Sequence, residues 1–152
     1  MGYNYTPSTR RLMRAIDKLL IYSEANPDLA PEQIRNYHSS RGLMDIGYHY
    51  CLNVQGVLRV GRRADSPAAP PTLDNERAIT VCLLGRIDID YAVSDLEKLA
   101  GPLSDLCIAY GLYAKDIKIA PMVSSLPSYN LQTLRDIVQD TLDGTERGYY
   151  VY

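Results

Sequence analysis

A chain of 152 residues with a formal net charge of −2 is one domain's worth of sequence, long enough for a single substantial core, and over its whole length carries no electrostatic footprint for nucleic acid or anionic membrane. The three cysteines are odd in number, sit in apolar runs and show no CxxC spacing, so they read as reduced core thiols rather than a disulfide framework. No signal-peptide h-region opens the chain and no apolar run nears the roughly 18 to 20 residues that span a bilayer. The expectation is a soluble, cytoplasmic protein with no membrane contact and no direct nucleic-acid binding.

From Thr9 to Leu20, the residues Leu12, Met13, Ile16, Leu19 and Leu20 recur at helical spacing. Arg10, Arg11, Arg14 and Lys18 make the same segment locally basic, either a solvated face or a surface for a partner. Asn26-Pro27-Asp28 is a turn. Pro31 and Glu32 suit the start of a helix whose Ile34, Tyr37 and His38 share a face, and Gly42 stops it. From Ile46 the period changes to two, with Tyr48, Tyr50, Leu52 and Val54 pointing one way and His49, Cys51 and Asn53 the other. Gln55-Gly56 turns the chain, Val57, Leu58 and Val60 carry it back, and Gly61-Arg62-Arg63 ends a β-hairpin.

Residues 63–77 hold Pro67, Pro70 and Pro71, which exclude regular structure and predict a surface loop. Ile79–Leu84 is an unbroken apolar run that suits a strand buried on both faces, the sheet's centre. Ser94-Asp95-Leu96-Glu97 has the form of a capping box, opening a helix through Leu99, Leu103, Leu106, Cys107 and Tyr110 that Gly101-Pro102 is predicted to kink. A short segment at Ile117-Lys118-Ile119 precedes a last helix, capped by Asn130, with Leu131, Leu134, Ile137, Val138 and Leu142 facing the core before Gly144. The tail Tyr149-Tyr150-Val151-Tyr152 either frays or docks its rings.

Four collinear fragments carry a resemblance. They are Ile34 to Arg63 with its Asp45-Ile46-Gly47-Tyr48-His49-Tyr50, the run Ala78 to Gly85, Ala120-Pro121, and Pro127-Ser128-Tyr129-Asn130-Leu131. In order and spacing these residues resemble the zinc-dependent N-acetylmuramoyl-L-alanine amidases of the peptidoglycan-recognition fold, particularly the T-odd bacteriophage lysozyme type, over roughly Leu19 to Leu142. The resemblance implies an α/β (α+β) domain spanning 1–152, with a central mixed β-sheet flanked by helices. It also implies that the first strand begins near Lys18 and runs through Leu19-Leu20-Ile21-Tyr22, against the helical pattern of that segment.

Such amidases use a zinc ion to polarise the amide carbonyl and activate water, held by two histidines and a cysteine or aspartate. This chain has two histidines in all. By the resemblance, the first ligand position falls at Ile21-Tyr22, the second near Asp116 and the third at Leu126, while the family's catalytic lysine lines up with Met122 or Ser124. Tyr48 matches the family's catalytic tyrosine, and His49 a neighbouring histidine that is not a ligand. His49 and Cys51, at i and i+2 on one strand face, with Asp116, form an alternative metal set that is not geometrically absurd.

The expectation is therefore a zinc-less pseudo-amidase without catalytic residues, metal or cofactor, acting by binding. Its ligand groove holds Tyr22, Tyr48, Asp116 and Leu126. The occupant is either a peptidoglycan fragment or a protein, the latter held through Arg10, Arg11, Arg14, Tyr149, Tyr150 and Tyr152. The phage lysozymes that the chain resembles also restrain a phage RNA polymerase, which makes inhibition of a polymerase one form of the protein-binding reading. The alternative is an active amidase, an endolysin, with atypical ligands.

Overall fold

A computed structural model of the protein describes residues 14–24, 30–40, 46–85, 93–120 and 128–144. In chain order they form β1 (Lys18–Glu24), α1 (Pro31–Ser40), β2 (Tyr50–Leu52), β3 (Leu58–Val60), β4 (Ala78–Leu84), α2 (Val93–Tyr110), a 3₁₀ turn (Ala114–Asp116), β5 (Ile117–Ile119) and α3 (Ser128–Leu142). The strands make one mixed sheet in the order β3-β2-β4-β1-β5. β4 is parallel to both β1 and β2, β5 is parallel to β1, and β3 returns antiparallel to β2.

Every residue of β4 is buried, as an apolar strand flanked on both sides and covered on both faces must be. Strand alternation then sorts the sheet into two faces. Leu19 and Ile21 of β1, Tyr50 and Leu52 of β2, and Ile79, Val81 and Leu83 of β4 join Leu96, Leu99, Leu103 and Leu106 of α2 and Leu134 and Val138 of α3 in the main core. The opposite face carries two smaller clusters. One holds Ile34 of α1 with Ile46, Cys51, Cys82 and Leu84, against which Tyr48 packs; the other holds Leu20, Ala78 and Ala120, against which Tyr22 packs.

The first segment departs from its helical pattern. Residues 14–17 are not helical and β1 begins at Lys18, because parallel pairing along the whole of β1, from Lys18 opposite Ala78 to Glu24 opposite Leu84, outweighs local spacing. Two helix starts also differ: α2 begins at Val93, ahead of Ser94, and α3 at Ser128, ahead of Asn130. Pro102 lies inside α2, which is a single helix from Val93 to Tyr110. Its missing N–H leaves the Lys98 carbonyl without the usual helical donor, and the hairpin turn closes on that carbonyl. Gly56, at φ +84°, stands so near that a Cβ there would lie 2.5 Å from the Lys98 oxygen. Only glycine meets both conditions. Asn53 shapes the same turn, its Oδ1 accepting from the Gln55 and Val57 amides at 3.0 Å each.

Among the described residues no helix is long and apolar enough to cross a membrane. The expected Gly42 stop, Leu126, Arg10, Arg11, Tyr149, Tyr150 and Tyr152 lie outside the described residues.

Candidate functional site

Side chains on alternate residues of a strand share a face, so Leu20, Tyr22 and Glu24 all leave β1 on the side away from α2 and α3. Tyr48 meets them from the chain leading into β2. Its ring centroid is 5.3 Å from that of Tyr22 with the planes inclined by 50°, an offset pairing that suits aromatic quadrupoles. The Tyr48 hydroxyl donates to Glu24 Oε2 at 3.0 Å. Asn75, buried in the proline-containing loop, donates from Nδ2 to the Tyr22 hydroxyl at 3.2 Å and to the Pro70 carbonyl at 3.1 Å, while its Oδ1 accepts from the Thr72 amide. The loop predicted from its prolines thus supplies a polar group to the cluster.

Burial, with the negative charge of Glu24 and the neighbouring Cys82 sulfur as smaller contributions, pushes the Tyr48 phenol far above its ordinary range. Tyr48 is therefore a hydrogen-bond donor at any pH of interest, not a base. Burial likewise pushes the Cys51 thiol up to about 12, and raises Cys82. Both thiols stay protonated in the folded chain, which makes them poor nucleophiles.

Tyr48 corrects one part of the strand reading. It lies outside β2 and packs with Cys51 and Cys82, on the face opposite Tyr50 and Leu52, because the strict two-residue alternation holds only within the paired strand. Gly61 permits the arrangement, since its amide bonds to the His49 carbonyl at 2.8 Å and a Cβ on it would lie 2.5 Å from the Tyr48 carbonyl oxygen.

His49 is fully buried and both ring nitrogens are engaged. The Thr80 amide can only donate, so Nδ1 accepts from it at 2.9 Å, and the proton rests on Nε2, 2.7 Å from the Ser66 carbonyl. Burial first, then the Arg14 and Arg62 charges, pushes the imidazole down to about 4 against the bond to Ser66. The ring is a neutral structural hub with no lone pair to spare for a metal. The alternative set of His49, Cys51 and Asp116 is corrected on that ground. Among the described residues no group of three or more His, Cys, Asp or Glu side chains is placed to hold a metal ion.

Asp116 is also displaced from its expected place in the groove. It precedes β5 and its carboxylate accepts from the Tyr113 amide at 2.9 Å. The residue that follows β5, Ala120, packs beside Tyr22, its amide bonded to the Ile21 carbonyl at 2.9 Å. Arg14 also departs from its expected place. Expected on a partner-facing surface, its guanidinium instead reaches the carbonyls of Ala64, Glu76 and Ala78 at 2.9, 3.2 and 3.0 Å and lies 3.1 Å from His49. It ties the segment before β1 to the loop and β4.

A zinc ion of the amidase type does not fit these residues. The expected ligand positions carry the Tyr22 phenol, bonded to Asn75, the Asp116 carboxylate, bonded to the Tyr113 amide, and Leu126 in the sequence. Glu24 and Asn75 were not singled out from sequence. Period two from Tyr22 flags Glu24, whereas nothing in a proline-rich loop marks an asparagine that acts across 53 residues of separation.

No family model matches the chain. The curated relatives it matches, from phages K11, KP32, T7 and T3, are all named endolysins. That of Enterobacteria phage K11 is 29% identical over 121 residues, covering 72% of this chain and 77% of the relative. Among solved structures, the N-acetylmuramoyl-L-alanine amidase LysC from Clostridium intestinale superposes with a TM-score of 0.64 at 20% identity, covering 78% of this chain and 84% of that one. Drosophila peptidoglycan recognition protein SD gives 0.62 at 17% identity, covering 80% and 82%. The fold is that of the N-acetylmuramoyl-L-alanine amidases and peptidoglycan recognition proteins. The expectation of a protein that is not an enzyme is corrected by the same comparisons, because the matched relatives are endolysins and structures of this fold include named amidases.

Proposed function

We propose that the protein acts on peptidoglycan as an endolysin-type amidase with an atypical site, its target the amide that joins the lactyl group of muramic acid to L-alanine. The observation that carries this reading is the match to endolysins over 72% of the chain. The chain also keeps a tyrosine at Tyr48, held protonated beside Tyr22 and Glu24. That proton is donated to Glu24 Oε2, so the phenol holds the carboxylate in place within the cluster. The zinc ligands of the fold are not part of the proposal, since Tyr22 and Leu126 do not supply them, and no step is assigned to a metal.

The protein-partner reading, inhibition of a polymerase among its forms, loses Arg14, whose guanidinium is engaged inside the molecule. Recognition of peptidoglycan draws support from the likeness to recognition proteins of Drosophila and Alvinella pompejana.

The test uses purified peptidoglycan sacculi incubated with the full chain, with zinc added and with chelator. New amino groups, identified as L-alanine N-termini by end labelling, are the expected product. Absence of such groups above the buffer control under both conditions contradicts the proposal.

A further inference from the structure

The sheet register sets two thiols side by side. Cys51 of β2 and Cys82 of β4 are direct partners in the parallel pairing of those strands, and both belong to the cluster on the α1 face of the sheet. Adjacent strands lie about 4.8 Å apart, within the Cα separation of about 4.4 to 6.8 Å that a disulfide bridges. Both side chains leave the sheet on the same side, so rotation about their own bonds turns the sulfurs toward one another. After burial itself, the nearness of Cys51 is the largest influence that raises the Cys82 thiol. Cys107, the third cysteine, lies in the main core on the other face of the sheet.

We propose that Cys51 and Cys82 are a redox-sensitive pair, converted by a small-molecule disulfide of the glutathione class into a cross-strand disulfide that staples the hairpin to the sheet centre beneath Tyr48. One thiolate attacks the small disulfide, forming a mixed disulfide and expelling a small thiolate that takes up a proton. The other cysteine then attacks the protein sulfur of that mixed disulfide and expels the second. The two cysteines lose two protons and two electrons, and the oxidant leaves as two thiols. Cys51 is 1% exposed and Cys82 0%. Such burial opposes thiolates but not the product, since a disulfide has no charge to desolvate. The cover is thin: among the described residues α1 contributes one side chain, Ile34, to the cluster, so local opening of that helix, or folding in the presence of oxidant, admits the reagent. A reducing compartment keeps the pair as thiols, and an oxidising one closes it. Closure adds a covalent tie where β2 meets β4 through Tyr50, Cys51 and Leu52 alone.

In the experiment the reduced chain is refolded in a glutathione buffer rich in the oxidised form. The folded monomer is isolated, its remaining thiols are alkylated, and its digest is mapped by mass spectrometry. A peptide pair cross-linked through Cys51 and Cys82, with Cys107 alkylated, is expected. Thermal melts of that monomer without and with reductant should differ by about 5 to 10 °C, the cross-linked form melting higher, because the bond closes a long loop in the unfolded chain. Cys51→Ala should melt at one temperature with or without reductant, and Cys82→Ala provides the same comparison if the first variant is not folded. A folded monomer in which Cys51 and Cys82 are both alkylated overturns the proposal, as does a bond from either of them to Cys107. A bond between Cys51 and Cys82 that leaves the melting temperature unchanged, or lowers it, overturns its role as a staple.

Discussion

Acid should weaken this protein through His49, and the direction follows from its surroundings. The imidazole is fully buried, its Nδ1 accepts from the Thr80 amide and its Nε2 donates to Ser66, with the Arg14 guanidinium 3.1 Å away. Protonation puts a second donor against the Thr80 N–H and a second positive charge beside Arg14 and Arg62. The folded value is about 4 against an ordinary 6.5. A depressed folded value means that the stabilisation is complete above pH 6.5 and is lost as pH falls through that window toward 4. At about 1.4 kcal/mol per pH unit, the loss approaches about 3 kcal/mol, with small movements of Arg14 reducing it. The assay is urea unfolding of wild type and His49→Gln at pH 7, 6, 5 and 4. Gln offers an acceptor and a donor but does not titrate, so the difference between the two proteins should shrink steadily below pH 6.5. Parallel stability curves for the two proteins across that range would refute the argument.

Other outcomes follow from the same geometry. Arg14→Ala should cost about 2 kcal/mol or more in urea unfolding, since the carbonyls of Ala64, Glu76 and Ala78 lose a charged donor; a change within about 0.5 kcal/mol would return Arg14 to the surface. Gly56→Ala should destabilise by more than about 1 kcal/mol, given its positive φ and the Lys98 carbonyl 2.5 Å from the new Cβ. Equal stability in that unfolding measurement would mean that the hairpin does not rest on α2. Tyr48→Phe should weaken binding of a muramoyl peptide by about 0.5 to 1.5 kcal/mol with little further effect on folding; calorimetry showing unchanged affinity but a lowered melting temperature would make Tyr48 a packing residue only.

Much of the fold is written in local pattern. The apolar run of β4, the helix from Pro31, the turn at Gly56 and the long helix through Leu103 all declare themselves through periodicity and turn chemistry. What fails is what depends on distant partners. Leu12 to Leu20 has helical spacing, yet from Lys18 the chain is a strand because β4 and β5 pair with it; the family resemblance over roughly Leu19 to Leu142, not local spacing, points to that strand. Arg14 looks like a surface cation because its carbonyl partners lie 50 to 64 residues away. The site was legible as far as Tyr22 and Tyr48. Position along the chain points to Asp116, whereas the register of β5 on β1 puts Ala120 beside Tyr22. Glu24 escaped because a carboxylate at a strand end reads as solvated until the phenol that binds it is located.

The most direct test of the proposed activity is the appearance of L-alanine N-termini when purified sacculi are incubated with the wild-type chain, with Tyr48→Phe and Glu24→Ala run in parallel. Release by wild type, reduced in both folded variants, is the predicted result. Sacculi that stay intact with zinc and without it, under conditions where a known amidase of this fold cleaves them, would contradict it.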